Sequence, residues 1–116
     1  MLIERVRIQQ GHVDALGRQL EDVPSQVAEM RTRKLQLEQV IKDSESLLDR
    51  TTDLNAHVEL ESRIKVMKIN SASLTQEEER LRNREAALDT ELQAAQARLN
   101  ELNGQLDSLM SELKGT

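Results

Sequence analysis

Apolar residues return along this chain at alternating steps of four and three. From Leu2 those steps reach Val6, Gln9, Val13, Leu16, Leu20, Val23, Val27, Met30, Lys34, Leu37, Ile41, Ser44 and Leu48. Of these fourteen positions only Gln9, Lys34 and Ser44 are polar. A spacing held for so long marks a helix whose apolar stripe packs on another helix in coiled-coil fashion. The C-terminal part repeats the pattern through Leu88, Leu92, Ala95, Leu99, Leu102, Leu106, Leu109 and Leu113, with no polar intruder. Followed backwards, that second seam keeps Leu81 and Leu74 but meets Glu85 and Glu78, so it is expected to be tight from Leu88 onward and looser before it.

The two seams are out of register by two residues. A single stutter or stammer moves the frame by four or three, so neither reconciles them. A break is therefore expected between about Leu48 and Leu81. The stronger candidate lies at residues 69–75, where Asn70, Ser71, Ala72 and Ser73 precede Leu74-Thr75-Gln76-Glu77-Glu78. Thr75 three before Glu78 reads as a capping box, with Glu77, Glu78 and Glu79 favoured by the new helix's dipole. The weaker candidate is residues 50–55, where Thr52 or Asp53 offers a cap. Pro24 falls between seam positions without shifting their phase, which fits a kinked continuous helix or a helix starting there.

The expected architecture is all-α: long amphipathic helices in a coiled coil, folded into a helical hairpin. An N-terminal helical extension covers 1–23, a long helix 24–68, a turn 69–74 and a second long helix 75–114. Near-equal helices joined by a short link suit antiparallel pairing.

Composition strengthens that picture. Phe, Trp and Tyr are all absent, hydrophobic residues make up 37% and charged residues 32%. A compact globule is hard to fill without rings, whereas a narrow aliphatic seam is not. Low hydrophobicity with high charge is also the mark of disorder, but the net charge of −5 is modest and the apolar spacing is regular. Acids precede bases by four residues at Asp14/Arg18, Glu29/Arg33, Glu38/Lys42, Glu59/Arg63, Glu61/Lys65 and Glu78/Arg82, the orientation that supports a helix.

Little in the sequence carries chemistry. Cysteine is absent, which excludes disulfides and thiolate metal sites. His12 and His57 stand far apart and outside any ligand spacing. The glycines are isolated, with no phosphate loop and no nucleophile elbow. Carboxylates on exposed helix faces have no cleft to tune them. The reading is a protein that is not an enzyme, with no cofactor and no metal.

Two basic clusters, Arg31-Thr32-Arg33-Lys34 and Arg80-Leu81-Arg82-Asn83-Arg84, invite a phosphate-binding reading. Without aromatics to stack on bases, interhelical ion pairs account for them better than nucleic acid does. No apolar run approaches the ~20 residues of a membrane span. Met1 is followed by charge within four residues rather than by the apolar stretch of a secretory leader, so a cytoplasmic setting is the expectation.

The functional expectation is a structural or assembly protein acting through helix pairing. A homo-oligomer is expected, a dimer first, or a coiled-coil protein partner; an adaptor or chaperone-like module that docks a client is the alternative. Its seam would run through Val13, Leu16, Leu20, Val27, Met30, Leu37 and Ile41 and through Leu88 to Leu113. The motive for a second chain is residues 1–23, whose seam hydrophobics a hairpin of 24–114 leaves uncovered.

Overall fold

The computed structural model describes residues 1–115. They form two helices, α1 (Leu2–Arg50) and α2 (Leu54–Lys114), joined by a three-residue link at 51–53. Their 49 and 61 residues correspond to about 74 and 92 Å at ~1.5 Å per residue. The fold is an all-α two-helix hairpin.

The link falls where the weaker sequence signal stood, and the turn expected at 69–74 is helical. Three local features set the link. Thr51 closes α1, its amide donating to the Leu48 carbonyl at 3.2 Å and its hydroxyl to the Leu47 carbonyl at 2.7 Å. Asp53, a residue type favoured at helix starts, accepts the first bond of α2 from the His57 amide at 2.9 Å. Arg50 places a positive charge in the last turn of α1, where the helix dipole favours it. The chain turns without any residue of positive φ.

The polar stretch at 70–76 fails to break α2 for a physical reason. Serine and threonine cost a helix only a few tenths of a kcal/mol each. Thr75 is no cap: its hydroxyl donates to the Ser71 carbonyl one turn back, at 3.2 Å. Glu78 does not reach back to Thr75 but points at arginines described below. Relocating the turn also resolves the two-residue offset. The C-terminal frame runs back unbroken through Leu81, Glu78, Leu74, Ser71, Met67, Ile64, Leu60 and His57, none of them fully exposed. The frame changes only at 51–53.

Contacts divide the chain into two units, residues 1–24 with 83–115, and Ser25–Arg82. In the first, the N-terminal half of α1 packs on the C-terminal half of α2. Val13, Leu16, Val23, Leu88, Ala95, Leu99 and Leu102 are all buried there, Val23 being 2% exposed and Leu99 and Leu102 3%. The Gln9 side-chain amide crosses to the Ala95 carbonyl at 2.9 Å, tying residues 86 apart in sequence. Residues 1–23 are thus not an uncovered extension, and the seam once assigned to a second chain is closed by α2 itself. In the second unit the buried seam is thinner: Val27, Ile41, Ile64 and Leu81. Pro24 lies inside a continuous α1, not at a helix start, and coincides with the boundary between units.

Candidate interaction surface

The seam residues read from the sequence divide by exposure. Val13, Leu16, Val27, Ile41, Leu88, Ala95, Leu99 and Leu102 are buried; Leu20, Met30, Leu37, Leu92 and Leu106 are half-buried. Leu109 and Leu113 remain 46% and 69% exposed. With that last pair excepted, the stripe that was expected to hold an oligomer is occupied within the chain.

Within Ser25–Arg82 the two flanks of the seam differ. One flank is closed by ion pairs that cross between helices. Lys68 Nζ meets Glu45 at 3.0 Å, and Arg31 Nε meets Glu78 at 2.7 Å. Glu78 stands on the seam with 13% of its side chain exposed, and it also takes Arg82 from its own helix at 2.9 Å. A carboxylate in that position is tolerable because two guanidiniums replace the water it loses.

The other flank is open. Val40, Leu47 and Ser44 of α1 face Leu60, Ser62, Arg63, Val66 and Met67 of α2 around a groove of about 520 Å3. Val40, Leu47 and Val66 are 48%, 51% and 55% exposed. No ion pair spans this side among the described residues. These apolar positions escape a seam search because they sit beside the stripe; the signal that marks them is the seven-residue interval from Val40 to Leu47, one step off the seam.

A second hollow, of about 800 Å3, lies in the other unit beside Val13, Gly17, Leu92 and Ala97. Gly17 opens it: nothing stands within 4 Å of where a Cβ would be. Its remaining walls, Asp14, Arg18, Glu21, Gln93, Gln96 and Asn100, are all polar. Polar side chains make up more of this hollow's lining than of the groove at Val40, whose exposed walls are mainly aliphatic and demand cover more strongly.

Four arginines of the basic clusters, Arg31, Arg33, Arg80 and Arg82, pair with acids. The hairpin sets Arg31 beside Glu78 and Arg82, Arg33 pairs with Glu29 at 2.6 Å, and Arg80 with Glu77 at 2.7 Å. A patch meant for phosphates would present these guanidiniums unpaired. Among the acid-to-base pairs read from spacing, Glu29/Arg33, Glu59/Arg63 and Glu78/Arg82 form. Arg18 instead donates to the Asp14 carbonyl.

His57 approaches Glu61 at 3.7 Å, one turn along the same helix. Among the described residues no three His, Asp or Glu side chains gather as a metal site, and no helix is long and apolar enough to cross a membrane. The arrangement offers packing surfaces and ion pairs, and no catalytic constellation has been identified in it. Comparison with known proteins finds no matching family model, no similar curated protein and no similar solved structure.

Proposed function

We propose that this chain is a non-catalytic structural or assembly protein that works by coiled-coil helix pairing, and that the pairing surface is the open flank of Ser25–Arg82. One observation carries the reading. After the seam has been closed within the chain, Val40, Leu47 and Val66 still stand half-exposed around one apolar groove, beside a seam that itself holds polar Lys34, Ser44 and Ser71. A helix pair that places polar residues inside and aliphatic ones on its flank is arranged for a further layer of helix.

The test separates a docking surface from a piece of the fold. Val40→Ser, Leu47→Ser and Val66→Ser together should lower hairpin stability by less than ~1 kcal/mol per site, as surface positions do. Circular dichroism with urea at high dilution reads this. Loss of helicity or a collapse in stability like that of a core substitution would assign the flank to the hairpin's own core and end the proposal.

A further inference from the structure

We infer that the occupant of this flank is a second copy of the same chain, related by a two-fold axis and paired through the charged rows that border the groove. The inference rests on the reading of the flank as a pairing surface, and adds who the partner is.

The argument is the order of charges. Helical spacing puts Arg50, Asp43, Arg33 and Glu29 on the same face of α1 as Leu47 and Val40. Read outward from the loop, their signs run plus, minus, plus, minus. On α2 the face shared with Val66 carries Glu59, Arg63, Glu77 and Arg80, and outward from the loop these run minus, plus, minus, plus. No other charged residue of Ser25–Arg82 falls on these two rows. Laying α1 of one copy along α2 of the next, loops together, opposes each charge with its opposite. With the loops at opposite ends, α1 lies on α1 and α2 on α2, and each charge again meets its opposite, Arg50 with Glu29, Asp43 with Arg33, Glu59 with Arg80 and Arg63 with Glu77, so the rows are self-complementary in either orientation.

Level along the hairpin agrees. Each α1 charge is two to six residues nearer the loop than its counterpart on α2. Side chains on a helix lean toward its N-terminus, which is away from the loop in α1 and toward it in α2. With the loops together, the lean narrows that offset. The pairs these groups make now, Glu29–Arg33, Glu59–Arg63 and Glu77–Arg80, lie on exposed helix faces and are worth little, so they are easily exchanged for contacts across copies.

Two further quantities fit. Ser25–Arg82 holds ten Lys or Arg and eleven Asp or Glu, whereas the rest of the chain holds six and ten. The nearly neutral unit is the one that opposes self-association least. A face from Glu29 to Arg50 is about 33 Å long and roughly 20 Å across two helices. Two such faces bury on the order of 1,300 Å2, within the range of a stable, specific interface.

The absence of cysteine allows a direct test. Val40→Cys and Val66→Cys chains, mixed and mildly oxidised, should cross-link across copies, to each other where the loops lie together and Val40→Cys to itself where they lie opposed. Sedimentation of the native chain should give twice 13.2 kDa at micromolar concentration. Asp43→Arg should weaken association at least tenfold, and a second reversal, Arg63→Asp with the loops together or Arg33→Asp with them opposed, should restore it, with helicity unchanged throughout. A native chain that stays at monomer mass up to millimolar concentration overturns the second-copy inference and leaves the flank to a partner of different sequence. A dimer in which neither cysteine cross-links, or in which the charge reversal has no effect, overturns the flank as its interface. Neither result touches the stability test that decides whether the flank is a surface at all.

Discussion

The two units of this hairpin use the same spacing and finish differently. Residues 1–24 with 83–115 bury seven aliphatic side chains, and one side-chain amide tie, Gln9 to Ala95, crosses between their helices. Ser25–Arg82 buries four, crosses its helices with two ion pairs, and leaves apolar residues on its outer flank. The first buries more of its seam, although Ile3, Ile8, Leu109 and Leu113 stay exposed in it. The second spends part of its apolar stock outside, where it stabilises nothing until covered. On the proposed reading, holding the fold and meeting a partner fall to different stretches of the same two helices.

The sharpest way to break this comparison is at Leu99 and Leu102. Truncating a buried leucine costs ~2–5 kcal/mol, and both residues are only 3% exposed. Leu99→Ala with Leu102→Ala should thus remove most of the stability of the first unit. Truncating half-buried Leu37 and Leu48 in the second should cost less. Urea unfolding with hydrogen exchange compares the two. Because the seam is closed within the chain, the loss should be the same at every protein concentration; a strong dependence on concentration would return the seam to an oligomer.

Next in size is the glycine series. Gly11, Gly17 and Gly104 all sit inside helices of the first unit, with open space where a Cβ would go. Alanine in a helix interior is better than glycine by about 0.5–1 kcal/mol. The triple substitution should raise stability by roughly 2 kcal/mol on the same basis, and thermal unfolding will register it. A decrease would mean that the Gly17 hollow has an occupant.

Two smaller effects locate the turn. Asp53→Ala removes a favoured helix-start residue and should cost ~1 kcal/mol. Thr75→Ala removes only a hydroxyl bonded one turn back within α2, so it should change stability by under ~0.5 kcal/mol. If the two costs are reversed in chemical denaturation, the chain turns near 75 after all.

Much of the fold was legible in advance. All fourteen α1 positions reached by the four-three steps are buried or half-buried, polar Gln9, Lys34 and Ser44 included. Local polarity points to a turn at 69–74, whereas the chain turns at 51–53, where the seam changes register. Ser71 and Glu78 look like interruptions in one dimension, yet they fall on seam positions, and a seam absorbs a carboxylate once arginines from two helices reach it. That juxtaposition of Arg31 with Glu78 needs the hairpin alignment, which no local pattern contains. The open flank was missed for a related reason. Val40, Leu47 and Val66 are ordinary aliphatics until two helices are set side by side and one edge is found unbridged.

The link at 51–53 also governs the order in which the hairpin can assemble. Closing a chain loop costs entropy that grows with its length. Contacts beside the link, such as Glu45 with Lys68, need only a short loop, whereas Gln9 with Ala95 encloses 86 residues of separation. Pairing is thus expected to begin in the polar, ion-paired unit and to run outward, so that the leucine-rich end joins late. Changes near the link should then alter the folding rate, while Leu99→Ala should act mainly on the unfolding rate. The stretch that contributes most to holding the hairpin shut would have little part in starting it.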